Sequence, residues 1–584
     1  MDSLMGALYS QVVWLAVLAF PLLLAGGCLS RWGRSWAVAA APWSALPPIA
    51  LALWPPEAGN YPWLLLGSTF GLDLTGRIFL LFTALTWGAA ALYARGYLVN
   101  QARLQSFFFF FLLAMTGNLG LIMAGDMAAF YLFFALMTFA AYGLVVHERD
   151  SEARQAGKVY LVMAVLGEVL LIAGLMLIAA EGTMRLSELA PRIAVSPHRH
   201  LILGLILVGF GVKAGCFPLH LWLPLAHPAA PTPASAVLSG AMIKAGLLAW
   251  LRFLPLGEGA FPAWGMVCLV AGLIAAFGGV ALGLAQSQAK TVLAYSSISQ
   301  MGLMTGAVGL GLLFPAAWPM VLAALCLYAL HHGLAKTALF LGVGMAGAEG
   351  VWARAAFLAG LLLPALSLAG APLTSGLVAK KLLGDLAAFI PAPWAEIFAG
   401  LLAGSAVATT ILMAHLLLLP WTQKTGKGSP PTGRQWLAWI VVQLGGLIMV
   451  WMIVPGWLAP WGVKAPGWSG EAAVTVLVGG ALGGLLWRGA KKSRSSLLPP
   501  LPAGDMLLLL YALGRGARQG WANYGDPAVT RLVRAYLTFV WQGPIELFGL
   551  HSLLAASEKG LLRWRVSGGL FLLLVLVFAV MLLR

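Results

Sequence analysis

Apolar runs of about twenty residues, each closed by a cluster of Pro, Gly or charged residues, recur along the whole 584-residue chain. A helix needs about 20 mainly apolar residues to cross a hydrocarbon core of about 30 Å. Cutting at the polar clusters gives sixteen segments: 11–29, 36–54, 76–98, 106–124, 127–146, 157–180, 200–217, 232–253, 264–285, 291–312, 318–346, 355–383, 394–419, 436–458, 471–487 and 566–583. The fold predicted is an all-α polytopic membrane protein with about 16 transmembrane helices. The stretch between the last two segments differs in kind. From 503 to 560, apolar residues fall at helical spacing around Arg515, Arg518, Arg531 and Arg534, broken at Gly525-Asp526-Pro527 and Gly543-Pro544. This predicts a basic amphipathic lateral helix segment on the membrane face, divided at its breaks. It serves either as a lipid-surface anchor or as a brace along neighbouring subunits.

Composition agrees: 61% of residues are apolar and 9% charged, where soluble chains have about 45–50% and about 25%. The net charge of +16 does not imply nucleic acid, because the basic residues are spread thinly and form no aromatic-interleaved patch. Cys28, Cys216, Cys268 and Cys326 sit in apolar stretches without disulfide or zinc spacing and read as small filler. The run Gln11–Leu29 lacks a basic start and reads as a retained first span rather than a secretory signal.

Loop charge orients the chain. With the N-terminus outside, 23 of the 35 Lys and Arg residues face the cytoplasm and 7 face outward. Both termini are then expected on the outer side. The remaining five, Lys213, Lys244, Lys336, Lys380 and Lys381, lie within segments. A lysine at the bilayer centre costs about 2.5–3.5 kcal/mol even on the mildest scale, so such residues are candidates for function. Lys213 is followed by Gly215 and Pro218, and Lys380 comes after Gly370, Pro372 and Gly376, so segments 7 and 12 are expected to be broken helices. Broken helices at membrane depth persist where they line a cavity or a water path.

The spacing also hints at a repeat. Lys380 follows Lys213 by 167 residues and His415 follows Lys244 by 171, so segments 4–8 and 9–13 would correspond. Five spans per unit would make the copies inverted. Glu168 in segment 6, His331 and His332 just before Lys336, and Gln300 and Gln443 add polar groups to the same belt. His332 and Lys336 share a helical face. Burial disfavours the charged form of Lys and Glu alike, and a chain of such groups is a candidate proton relay.

Several stretches resemble a known family. Pro224-Leu225-Ala226-His227-Pro228-Ala229-Ala230-Pro231-Thr232-Pro233, continuing to Ser239-Gly240-Ala241-Met242-Ile243-Lys244-Ala245-Gly246, is similar to the signature loop and eighth span of antiporter-like subunits. These are shared by respiratory complex I, group 4 membrane-bound hydrogenases, formate hydrogenlyase and Mrp-type antiporters. Ala294-Tyr295-Ser296-Ser297-Ile298-Ser299-Gln300-Met301-Gly302 resembles their tenth-span motif, and His332 to Lys336 their span 11 motif. The resemblance covers about 105–385.

It implies two inverted five-helix repeats with broken spans 7 and 12, and a proton relay of Glu168, Lys213, Lys244, His331, His332, Lys336 and Lys380. Asp126, His227, Gln300, Lys381 and His415 are accessory candidates. The domain boundaries are then 1–105 for spans 1–3, 106–255 and 264–420 for the repeats, 436–487 for spans 14–15, 488–565 for the lateral segment and 566–584 for the closing span.

One departure matters. Where the family carries a span 5 glutamate, this chain reads Phe130-Tyr131-Leu132-Phe133-Phe134-Ala135-Leu136-Met137-Thr138. With Ala135 in place of that carboxylate, either Glu168 substitutes as partner of Lys213, or the first half-channel is altered or idle. The charged residue common before Ala226 is also absent, Leu225 standing there.

The expectation is an antiporter-like subunit that moves protons within a complex I-like or hydrogenase-like assembly in a bacterial or archaeal cytoplasmic membrane. Its partners would be further antiporter-like subunits and quinone- or hydrogenase-module subunits. It would be part of a proton-pumping oxidoreductase without a cofactor, metal or redox centre of its own, since it has no Fe–S spacing and Gly209-Phe210-Gly211 lacks the rest of a dinucleotide fingerprint. Cation/proton exchange or ion-coupled uptake of a small solute, and a degenerate structural spacer, are the alternatives.

Overall fold

The computed structural model describes residues 2–64, 67–99, 101–422 and 430–493. The lateral segment 503–560 and the closing span 566–583 lie outside the described residues. Within them, the long helices are α1 (Asp2–Leu29), α2 (Arg34–Leu53), α3 (Leu74–Tyr97), α4 (Leu104–Met123), α5 (Met127–Val145) and α6 (Ser151–Ala180). Then come α7, in two halves, Arg199–Ala214 and Leu223–Ala229, followed by α8 (Thr232–Phe253), α9 (Pro262–Leu284), α10 (Ala289–Leu313) and α11 (Trp318–Val343). The last are α12, in halves Val351–Ala369 and Ser375–Asp385, α13 (Trp394–Thr422), α14 (Gly433–Trp457) and α15 (Gly470–Ser493). The chain is an integral multi-pass membrane protein: among the described residues, 14 helices are long and apolar enough to span.

The long helix missing from those 14 is α10, where Tyr295, Ser296, Ser297, Ser299 and Gln300 interrupt the apolar run. All five are buried, so their polar groups face neighbouring helices rather than lipid. Burial grades the bundle. The apolar window of α8 is 100% buried and that of α15 only 11%, which places α8 at the centre and α15 at the edge.

Several helix starts are set by aspartates whose side chains accept otherwise unpaired amide hydrogens. Asp73 accepts from Gly76 N at 2.7 Å, Asp126 from Ala129 N at 2.8 Å and Asp150 from Ala153 N at 2.7 Å. The Asp150 cap explains why α6 begins at Ser151, one and a half turns before the apolar run at 157. The structure also adds to an all-helical reading a two-stranded antiparallel hairpin, Gly59–Tyr61 with Ser68–Phe70, in the loop after α2. It is held by burial of Tyr61 and Phe70 and by the Tyr61 hydroxyl donating to Gln11 O at 2.7 Å.

The two expected breaks are present. Each first half ends on a left-handed glycine, Gly215 (φ 67°) in α7 and Gly370 (φ 86°) in α12. That conformation is cheap only for glycine and stops a helix cleanly. A π-turn over Leu238–Met242 adds a third irregularity, within α8.

Candidate functional site

The residues of the expected relay fall into two clusters. In the first, Glu168 of α6 and Lys213 of α7 line one cavity of about 20 Å³, with Phe134, Thr138, Tyr160 and Trp222 in its wall. Lys213 Nζ donates to the Tyr160 hydroxyl at 3.1 Å and lies over the Tyr160 and Trp222 rings, at 5.5 and 5.9 Å from their centroids. Tyr160 in turn donates to Thr138 O of α5 at 2.7 Å. Neither Glu168 oxygen has a well-formed hydrogen bond among the described residues, although Tyr131 lies beside it. Ala135 is half-buried and is not among the residues lining the cavity; α5 contributes Phe134 and Thr138 instead.

The second cluster joins α8, α10, α11 and α12. Lys244 Nζ donates to Ser239 O inside the π-turn, and Ser239 Oγ meets Ser297 Oγ at 2.8 Å. Ser297 Oγ donates to Leu293 O at 2.9 Å, and Lys336 Nζ donates to the same carbonyl at 3.0 Å. The two lysines are thus linked through a serine pair and two backbone carbonyls, Ser239 O and Leu293 O. Close approach of α8 and α11 makes this geometry possible. A Cβ at Gly333 would stand 2.7 Å from Gly240 O, so neither backbone could come so near with a larger residue at 333.

His332 is fully buried within the field of Lys244, Lys336 and His331, and neither of its ring nitrogens has a hydrogen-bond partner among the described residues. His331 Nδ1 meets Ser375 Oγ at 2.7 Å and Ser367 Oγ at 3.3 Å, and these serines, 2.7 Å apart, belong to the two halves of α12. His331, Ser367, Ser375 and Gln443 help line a cavity of about 70 Å³. Beyond the break, Lys380 Nζ donates to Ala369 O at 2.8 Å. Ala369 ends the first half of α12, so the ammonium sits at the negative pole of that half-helix. Lys380, exposed Lys381, Asp385, Lys464 and Glu471 border a cavity of about 790 Å³.

The accessory candidates divide. His227 is fully buried, stacked on Phe340 at 4.6 Å, in the field of Lys336, Lys290 and Lys244. Gln300 accepts from Tyr328 at 2.7 Å and donates to Thr409 at 3.1 Å, and the Tyr328 ring packs edge-on against His331 at 5.9 Å. His415 lies apart, against Gln286 O at 2.9 Å. Asp126 caps α5 and also accepts from Thr69 N at 2.8 Å, so both carboxylate oxygens are engaged at a helix end, away from either cluster. Sequence reasoning missed Tyr160, Trp222, Ser239, Ser367 and Ser375. Tyr160 lies eight residues before Glu168, two turns along one face of α6, and that spacing was the available signal.

The family described as NADH:quinone oxidoreductase/Mrp antiporter, transmembrane, matches residues 124–388, a stretch that holds Glu168, Lys213, Lys244, His331, His332, Lys336 and Lys380. Over that stretch the chain is similar to antiporter-like membrane subunits. The chain is 33% identical over 342 residues to the putative antiporter subunit mnhA2 of Staphylococcus haemolyticus, covering 54% of this chain and 42% of that protein. To hydrogenase-4 component B of Escherichia coli it is 33% identical over 250 residues, covering 40% of this chain and 36% of that protein. It therefore spans less than half the length of these curated relatives. Among solved structures, the Mrp complex from Dietzia sp. DQ12-45-1b matches at a TM-score of 0.70 and 23% identity, over 91% of this chain and 62% of that one. The membrane-bound sulfane sulfur reductase, an archaeal respiratory membrane complex, matches at 0.63 and 21%, over 81% of this chain and 99% of that one. At these identities the structural matches establish the fold alone.

Proposed function

We propose that the chain is a proton-translocating subunit of a multi-subunit redox complex of the complex I or hydrogenase kind, passing protons from the Glu168/Lys213 cavity through Lys244, His332, Lys336 and His331 to Lys380. The observation that carries this reading is the grading of cavities along the clusters. About 20 Å³ beside Glu168 and Lys213 is room for one water, about 70 Å³ beside His331 is room for a few, and about 790 Å³ at Lys380 is a vestibule.

The vestibule is bordered by Gly462–Ser469 and the first turns of α13 and α15, on the side whose loops carry few basic residues. With the N-terminus outside, that is the outer face, and Lys380 releases protons there. Like charges in the second cluster make a relay of it. At an effective dielectric of about 20, two unit charges about 8 Å apart repel by about 2 kcal/mol. A proton arriving on one lysine therefore promotes departure from the next.

The same reading takes α4–α8 and α9–α13 as two inverted five-helix repeats, supported by the left-handed glycine that ends the first half of each broken helix. A total of 16 spans follows if the segment 566–583 crosses as its composition predicts. Partners would be further antiporter-like and redox-module membrane subunits, and the setting a bacterial or archaeal cytoplasmic membrane. Cation/proton exchange is the second reading, favoured by the mnhA2 relative and the Mrp structural match.

The test is proton flux in liposomes that hold the intact complex, driven by an imposed potassium diffusion potential and read by an internal pH dye, for parent and Lys380→Ala. The relay reading expects flux to fall at least about tenfold, equal to about 1.4 kcal/mol of barrier. Unchanged flux would leave the chain a structural spacer, and flux that depends on sodium would favour exchange.

A further inference from the structure

We propose that Tyr160 is a positioning residue for Lys213, supplying through a neutral phenol the hold on α5 that a carboxylate at position 135 would otherwise give. The inference rests on the relay reading and deepens it at the first cavity. Its basis is the direction of two hydrogen bonds. The Tyr160 proton goes to Thr138 O at 2.7 Å, which leaves the phenolic oxygen free to accept from Lys213 Nζ at 3.1 Å.

Thr138 stands one helical turn beyond Ala135, so the lysine is tethered to the stretch of α5 where the carboxylate is missing. The tether is rigid. Tyr160 packs edge-on against Trp222 at 5.2 Å, and Trp222 Nε1 donates to Val212 O at 2.7 Å, beside Lys213 and just before the α7 break. Lys213, Tyr160 and Trp222 are all buried, and the ammonium lies over both rings.

A phenol and a carboxylate would hold the lysine differently. A carboxylate binds the ammonium by charge and releases it only against that attraction, whereas a hydroxyl accepts a hydrogen bond from either the charged or the neutral amine. Tyr160 thus keeps Lys213 at one wall of the cavity in both protonation states. The proton itself can exchange with Glu168 across the same cavity, whose about 20 Å³ admits a single water. Positioning and proton exchange are divided between two residues of α6.

The experiment compares Tyr160→Phe, Tyr160→Phe/Ala135→Glu and Glu168→Gln in the intact complex, by the liposome flux assay over a range of pH. Tyr160→Phe is expected to lower flux about tenfold, equal to about 1.4 kcal/mol, and to move the pH of half-maximal flux. The added carboxylate at 135 is expected to restore most of that flux. A Tyr160→Phe protein with the parent's flux and pH profile, alongside a Glu168→Gln protein that has lost flux, would overturn the positioning role and leave the relay standing. Loss in Tyr160→Phe without recovery in the double variant would also overturn it, because a packing defect gains nothing from a carboxylate. Unchanged flux in Glu168→Gln as well would remove the relay reading itself. If Tyr160→Phe fails to assemble, assembly becomes the readout: recovery by Ala135→Glu supports the tether, and no recovery overturns it.

Discussion

At Lys213 the ammonium shares a small cavity with a carboxylate, Glu168, and is held by a phenol. At Lys244 and Lys336 the ammonium groups rest on the backbone carbonyls of Ser239 and Leu293, with histidines and serines around them. Among the described residues no hydrogen bond links Lys213 to Lys244, so the two regions are separate units. Their charge arithmetic differs. The first can be electrically neutral with its proton on either partner, as an ion pair or as two uncharged groups. The second can shed positive charge only by shedding protons. A balanced pair suits a switch that responds to charge nearby, and an all-basic cluster suits a conduit that cannot hold many protons at once.

Breaking the conduit should do the most damage. Lys336→Met removes the group that closes the serine and carbonyl connection from Lys244, and flux in the liposome assay is expected to fall about a hundredfold, the equivalent of about 2.8 kcal/mol of barrier. A fall no larger than that of a first-cavity variant would erase the distinction between the regions. Glu168→Gln keeps shape and removes titration. It should lower flux about tenfold, or about 1.4 kcal/mol, with Ala135→Glu in the same chain restoring part of it by giving Lys213 a carboxylate on α5. If Ala135→Glu has no effect in that background while Glu168→Gln remains impaired, Glu168 acts from its own position alone.

The lysines of both regions were legible in the sequence because a cation inside an apolar run is expensive wherever the helix packs. The breaks were legible too, since Gly215 with Pro218 and Gly370 with Pro372 cannot continue a helix. The partners were not. Tyr160 looks like one more aromatic in an apolar helix, and only the packing of α6 against α5 and α7 turns its hydroxyl toward Lys213. Ser367 and Ser375 stand eight residues apart on either side of a break, and their meeting at His331 depends on how the two halves of α12 return to α11. Asp126 shows the converse: an acid among apolar residues reads as an accessory site candidate until its oxygens are seen on the amides of Ala129 and Thr69. Tertiary contacts that assign a polar group its partner are not written in local spacing.

The smallest effect belongs to a control that both regions share. Arg252, near the end of the helix that carries Lys244, makes a two-pronged ion pair with Asp73 at 2.6 and 2.7 Å, the one ion pair among the described residues. Burial alone would raise the Asp73 carboxyl, but the Arg252 guanidinium and the Gly76 amide outweigh it and hold it below the ordinary carboxylate range. A depressed acid contributes stability that is present above its unfolded value of about 3.9 and is lost as pH falls through the lower folded value. With the Asp73 side chain 51% exposed, solvent screening limits the pair to about 1 kcal/mol or less. Asp73→Asn should therefore lower the thermal midpoint of the solubilised protein slightly at pH 7, the gap to the parent closing below about pH 4. Its flux and its flux–pH profile should match the parent's, because a fixed pair at the helix end exchanges no protons during transport. A shifted profile would mean that the end of α8 is coupled to Lys244, and the conduit would then begin at the rim rather than at the centre of the bundle.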